Sequence, residues 1–145
     1  MHNDFQDFIE SLLNNRVDFV IVGAFALAYH GYPRNTGDID IWILPEKLNA
    51  EKTVQAIGDF FGTNLGVTAE DITSGKIIQF GRPPVRIDLI SKLSGVTTEE
   101  IWENKIPGTF AGIRVFYIDK KTFIKNKRII GRGKDIVDAD ILGGD

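Results

Sequence analysis

Three aspartates stand in short apolar segments, where their carboxylates could hold a cation. Asp38 and Asp40 lie in the segment Asp-Ile-Asp-Ile at residues 38–41, and Asp88 lies in Arg-Ile-Asp-Leu-Ile at 86–90. Side chains alternate along a β-strand, so Asp38 and Asp40 should point to one face, about 7 Å apart. We expect Asp88 on another strand of that sheet, where three acids repel each other unless cations lie among them.

The ligand chemistry of such a site favours Mg²⁺, with Mn²⁺ as a second candidate. The acids supply hard oxygen ligands, and the chain has no cysteine to favour a softer metal. Two such ions about 4 Å apart can activate a hydroxyl and stabilise the leaving oxygen in phosphoryl transfer. Two alternatives stay open: an Asp-x-Asp pair also occurs by chance on exposed strands, and Asp88 could pair with Arg86 or Arg82 instead.

A glycine turn upstream of the acids supplies a candidate phosphate-binding element. Gly23 follows the apolar run that ends at Val22 and precedes a short run of helix formers. Backbone N–H groups at a helix start suit a triphosphate, and glycine lets the phosphates approach closely. The full predicted nucleotide-binding set is Gly23, Ala24, Arg34, Thr36, Lys127 and Lys134.

Several members of this set also have ordinary structural interpretations. Arg34 could clamp phosphate oxygens bidentately or lie exposed in its loop. Lys127 and Lys134 could reach the nucleotide, but Lys134 next to Asp135 could equally begin a helix with local ion pairing. His30, followed by a glycine at a predicted helix end, is better explained by capping than by catalysis.

The surrounding pattern of apolar residues, glycines and prolines predicts the elements that position these groups. Helical spacing or composition predicts helices at 4–15, 24–30, 46–61, 97–103, 122–130 and 135–142. β-Branched or alternating runs predict strands at 17–22, 38–44, 77–80, 85–90 and 113–118. No linker or repeat interrupts the chain. We therefore predict one α/β (α+β) domain over residues 1–145, with a mixed sheet flanked by helices.

The motifs together resemble the signature of the nucleotidyltransferase superfamily of DNA polymerase β-like proteins. The match consists of Val-Gly-Ala at 22–24, a spacer of thirteen residues, Asp-Ile-Asp-Ile at 38–41 and Ile-Asp-Leu at 87–89. Residues 26–40 are similar to small bacterial abortive-infection and toxin–antitoxin nucleotidyltransferases, and so is the basic-acidic tail around Lys127, Arg132, Lys134, Asp135 and Asp138. The resemblance covers residues 20–142.

This resemblance implies transfer of a nucleoside monophosphate from a nucleoside triphosphate to a hydroxyl acceptor. It implies that Asp38 and Asp40 bind two Mg²⁺ ions and that Asp88 binds one and assists deprotonation. The acceptor could be a protein, a tRNA end or a small molecule, and a protein partner is also possible. Ala24 departs from the pattern because it stands where the superfamily usually has Gly or Ser.

Composition narrows the classes of protein to which the chain could belong. The 145 residues are 43% hydrophobic and carry a formal net charge of −3, which disfavours a surface built to hold duplex nucleic acid. No secretory signal and no apolar run of about 20 residues is visible, so we expect a cytoplasmic protein that does not enter the membrane. Alternatives to the transferase are a catalytically degenerate binding protein of antitoxin-like or regulatory type, a metal-dependent phosphohydrolase and a plain structural domain.

Overall fold

The computed structural model describes residues 3–33, 36–82 and 84–143, and it contains a six-stranded mixed sheet flanked by helices. The strands are β1 Phe19–Val22, β2 Asp38–Ile43, β3 Ile78–Arg82, β4 Val85–Ile90, β5 Ile106–Phe110 and β6 Ile113–Tyr117. The helices are α1 Asn3–Asn14, α2 Gly23–Tyr29, α3 Lys47–Phe61, α4 Ala69–Thr73, α5 Thr98–Asn104, α6 Lys120–Ile130 and α7 Gly133–Gly143. The predicted fold class is therefore confirmed.

The order of the strands places the two acidic segments side by side at the middle of the sheet. The order is β3-β4-β2-β1-β6-β5, with hairpins β3–β4 and β5–β6 at the two edges. β2 runs parallel to β4 and antiparallel to β1. The β2–β4 register sets Asp40 opposite Asp88 and Asp38 opposite Arg86. The acids therefore lie at the end of the sheet where β1 finishes and β2 and β4 begin.

Alternation along β2 places its three isoleucines on one face and Asp38, Asp40 and Trp42 on the other. Ile39, Ile41 and Ile43 are fully buried and belong to the main hydrophobic core. The face of the sheet that carries Ile41 is covered by α2, where Tyr29 stacks on Tyr117 of β6 at 4.1 Å between ring centroids. The opposite face carries the acids, and there Trp102 of α5 packs against the buried Trp42. Both tryptophans thus have a packing role.

The predicted helices and strands are all present, although their ends differ by a few residues. The first strand begins at Phe19 rather than residue 17, and the last helix begins at Gly133. The strands predicted at 77–80 and 85–90 form an antiparallel hairpin, β3–β4. Thr97 caps α5 through a reciprocal capping box with Glu100.

Two elements were not predicted. Strand β5 contains Pro107 and Gly108, which are both unfavourable in strands. It lies at the sheet edge, where proline is tolerated, and Gly108 leaves room for the Tyr29 ring, whose hydroxyl donates to the Pro107 carbonyl at 3.2 Å. Helix α4 has only five residues and is stabilised by a capping box between Thr68 and Asp71. Five residues are too few to show helical periodicity.

Among the helices within the described ranges, none combines the length and apolarity needed to cross a bilayer.

Candidate metal and phosphate site

The three predicted acids converge at the end of the sheet. One carboxylate oxygen from each of Asp38, Asp40 and Asp88 lies within 4.8 Å of the others. Asp88 is almost fully buried, with 5% of its surface exposed, and the other two are half-buried. Oxygen ligands at this spacing could hold a metal ion, because a divalent cation would offset the repulsion among them.

Asp40 shows how unfavourable the cluster is without a cation. Burial, followed by the neighbouring charges of Asp38 and Asp88, raises the pKa of Asp40 to about 7. Lys127 acts in the opposite direction and partly stabilises the charged form. A carboxyl group that is forced toward its protonated form at neutral pH is one that a bound cation would return to its charged form. This observation supports a fit between the residues present and a divalent metal.

Gly23 brings the backbone of the first helical turn against the Asp40 carboxylate. Its φ angle is +68°, in the left-handed region that favours glycine. A Cβ atom at this position would overlap Oδ2 of Asp40. Glycine is therefore required both by the backbone conformation and by the close approach of β2 to the start of α2. Ala24 follows as a half-buried residue of α2.

Asp38 and Asp88 are held by neighbours that already compensate their charge. The Thr36 hydroxyl donates to Oδ1 of Asp38 at 2.9 Å. Arg86 donates from Nε to Oδ1 of Asp88 at 2.9 Å and from Nη2 to Oδ2 of Asp88 at 3.0 Å. The same Nη2 donates to Oδ2 of Asp38 at 3.0 Å. Of the two pairings considered for Asp88, the structure contains the one with Arg86, which also extends to Asp38.

A cavity of about 220 Å³ opens beside the acids and is lined mainly by apolar residues. Gly23, Asp40 and Asp88 form one part of its wall, and Asn126, Lys127 and Arg132 contribute polar groups from the C-terminal helices. Cations thus stand next to the acids in the same cavity. Such a mixture of charges suits a ligand that carries both a metal ion and anionic groups.

The two cations of the cavity are anchored by a buried acid that the sequence did not identify as part of the site. Asp135 is fully buried and accepts from Nε of Arg132 at 2.6 Å, and its Oδ1 lies 3.5 Å from Nζ of Lys127. The Arg132 hydrogen bond lowers the pKa of Asp135, and Lys127 lowers it too, so the carboxylate stays charged. The spacing of Arg132 and Asp135 across a helix start was the available signal, since it matches local ion pairing.

Of the remaining candidates within the described residues, Lys134 lies outside this arrangement. Lys134 is exposed at the start of α7 and does not line the cavity. Arg34 falls outside the described residues. His30 caps the end of α2, and its Nε2 donates to the Ile118 carbonyl at 2.8 Å, which agrees with the capping interpretation.

No known protein-family model matches this chain, and no curated protein matches its sequence.

Proposed function

We propose that this protein is a Mg²⁺-dependent nucleotidyltransferase that moves a nucleoside monophosphate from a nucleoside triphosphate to a hydroxyl acceptor. The observation that carries the proposal is the convergence of Asp38, Asp40 and Asp88 within 4.8 Å. Two of these acids, Asp40 and Asp88, line a cavity to which Lys127 and Arg132 also contribute. The reaction requires acids that bind metal and, next to them, cations that bind phosphate.

In this proposal the three aspartates hold Mg²⁺, which supplies charge neutralisation and polarisation of the phosphoryl group when bound. Asp40 has the central position, because it touches the glycine turn and stands opposite Asp88 in the register. Its raised pKa means that binding of a cation displaces a proton from part of the population at neutral pH. Asp38, oriented by the Thr36 hydroxyl, completes the ligand set.

The C-terminal helices supply the phosphate contacts. Lys127 has 16% of its side chain exposed and is held by Asp135, so its ammonium group is pre-oriented toward the cavity. Arg132 shares that anchor and is 61% exposed, which leaves donors for a second anionic group. Gly23 lets phosphates approach the backbone at the start of α2.

A second candidate is a nucleotidyltransferase-fold protein that binds nucleotide or a protein partner without turnover. The specific observation in its favour is Arg86, whose guanidinium already compensates Asp38 and Asp88. Ala24 in the glycine turn also favours this candidate. It would give binding without release of pyrophosphate.

The decisive experiment is calorimetric titration of ATP, GTP, CTP and UTP into the wild type, in Mg²⁺ and in chelator. We expect metal-dependent binding of at least one nucleotide, loss of that binding in Asp40→Asn, and no change in Asp7→Asn. Asp7 is a suitable control because it is exposed on α1, away from the acids. Absence of binding for all four nucleotides would contradict the proposal.

Turnover is then tested with the nucleotide that binds and a panel of hydroxyl acceptors. Pyrophosphate release with label transfer supports the transferase. Release of inorganic phosphate instead would identify a phosphohydrolase. Binding without either product would favour the second candidate.

A further inference from the structure

We infer that Arg86 is a resident counter-cation of the three aspartates, and that a divalent metal binds there only as the Arg86 guanidinium leaves. The inference rests on the metal site of the proposed function and adds a residue that sets its affinity. The three aspartates would thus bind one of two cations at a time: the guanidinium of Arg86 or a divalent metal ion from solution.

The hydrogen bonds of Arg86 use the oxygens that a metal would need. Nε and Nη2 bind the two oxygens of Asp88 side-on at 2.9 and 3.0 Å, and Nη2 also bridges to Oδ2 of Asp38 at 3.0 Å. The remaining oxygen of Asp38 accepts from Thr36. Only Asp40 is left without a cationic hydrogen-bond donor among the described contacts of the three acids. A metal joining Asp40 to the other two therefore competes directly with the guanidinium.

The competition is electrostatic as well as geometric. A guanidinium stays charged at any physiological pH, so Arg86 cannot relieve the conflict by losing a proton. A divalent ion bound to the same carboxylates would stand a few ångströms from this fixed positive charge, where repulsion in a partly buried site is strong. Occupation by both cations at once is therefore disfavoured.

The position of Arg86 in the fold allows the guanidinium to move into solvent. Its side chain is 30% exposed and extends from β4 near the start of that strand. Rotation about its side-chain bonds can carry the charged end into solvent without moving the backbone, since Arg86 remains paired with Asp38 in the sheet register. Asp88, with a side-chain exposure of 8%, keeps its place for the incoming ion.

Arg86 thus has a positioning role in the metal-free protein. Its positive charge offsets the repulsion between the Asp38 and Asp88 carboxylates. Its hydrogen bonds hold the oxygens of both groups toward the same point. The cost is a weaker metal affinity, because part of the binding free energy is used to displace the guanidinium. Removing the charge should therefore strengthen metal binding even though a hydrogen-bonded partner is lost.

The test is Mn²⁺ binding to the full chain, measured by calorimetry and by the electron paramagnetic resonance signal of free Mn²⁺. Arg86→Met keeps most of the aliphatic stem and removes the charge. We expect its Kd for Mn²⁺ to fall by about tenfold or more relative to the wild type. The matched control is Arg82→Met, because Arg82 is an exposed arginine at the end of β3. Its Kd should stay within about twofold of the wild type.

Thermal unfolding provides a second readout that does not depend on activity. In chelator, Arg86→Met should unfold at a lower temperature than the wild type because its acids repel each other, and Mn²⁺ should stabilise it more than the wild type. If Arg86→Met does not fold, Arg86→Gln replaces it with the same expectation, since glutamine is uncharged but can still donate to Asp88.

The outcomes separate this inference from the proposed function. An unchanged or weaker Mn²⁺ affinity in the variant overturns the role of Arg86 and leaves the metal site standing. Absence of Mn²⁺ binding in both the variant and the wild type overturns the inference together with the metal site. Binding by Arg86→Met alone supports the inference and favours the candidate without turnover.

Discussion

Asp40 differs from an ordinary surface aspartate because its neighbours disfavour its charge. Burial and the charges of Asp38 and Asp88 together raise its pKa to about 7. In an unfolded chain the same carboxyl would titrate near 3.8. Between these two values the folded protein retains a proton that the unfolded chain has released, so the free energy of unfolding decreases as pH rises through this window.

The first prediction follows from this difference. In chelator, the wild type should lose about 2–3 kcal/mol of its free energy of unfolding relative to Asp40→Asn between pH 5 and pH 8. Asparagine cannot ionise, so the variant lacks this contribution, and titrating groups that do not interact with Asp40 cancel in the comparison. Urea unfolding at a series of pH values measures the effect. Parallel stability curves for the two proteins would show that the Asp40 carboxyl titrates normally.

At the scale of elements, helices α6 and α7 are joined by a buried ion-pair cluster. Asp135 at the start of α7 contacts Lys127 of α6 and Arg132 of the connecting turn. The same cluster directs both cations to the cavity beside the acids. Packing of the two C-terminal helices and phosphate binding should therefore depend on one carboxylate.

We predict that Asp135→Ala lowers the free energy of unfolding by about 1–3 kcal/mol, since charged hydrogen bonds are lost from a buried position. It should also weaken nucleotide binding, because Lys127 loses the partner that orients it. Asp140→Ala is the matched control on the same helix, since the side chains of Asp140 and its partner Arg128 are 56% and 42% exposed. The control should change stability by less than about 0.5–1 kcal/mol. Equal effects of the two substitutions in urea unfolding would contradict the prediction.

At the scale of the whole molecule, one face of β2 carries only core isoleucines, and the other carries the acids beside the buried Trp42. Ile41 is fully buried on one face of β2, and Asp40 lies on the opposite face. Alternation along one strand thus assigns adjacent residues to the core and to the site. Stability and metal binding should be separable by substitution.

We predict that Ile41→Ala lowers the free energy of unfolding by about 2–5 kcal/mol through the cavity that it creates. The Kd for Mn²⁺ should remain within about twofold, provided that it is measured where the variant is folded, because no ligand is altered. Ile129→Ala, at a position 60% exposed on α6, is the control and should change stability by no more than about 0.5 kcal/mol. A large loss of Mn²⁺ affinity in Ile41→Ala would show that the two faces are coupled.

Much of this arrangement was predictable because it depends on local patterns. The helical spacing at residues 4–15 and the alternation at 38–44 led to the correct element types, since each pattern reflects one buried face. Strand β5 was missed because the acceptability of Pro107 depends on its place at a sheet edge, and that place is not encoded locally. The pairing of Arg86 with Asp88 was one of the stated alternatives, but its extension to Asp38 and the role of Asp135 were missed, because they depend on which side chains approach from other elements.

The sequence by itself determined that Asp38 and Asp40 share one face of a strand, because the period of two in a strand is a local property. Only the tertiary structure decided that Asp88 lies directly opposite Asp40 and that Arg86 stands between Asp88 and Asp38. That outcome requires the parallel β2–β4 register, which joins segments separated by α3, α4 and β3. Pairing over such a distance is selected by burial of the whole core, so no local pattern specifies it.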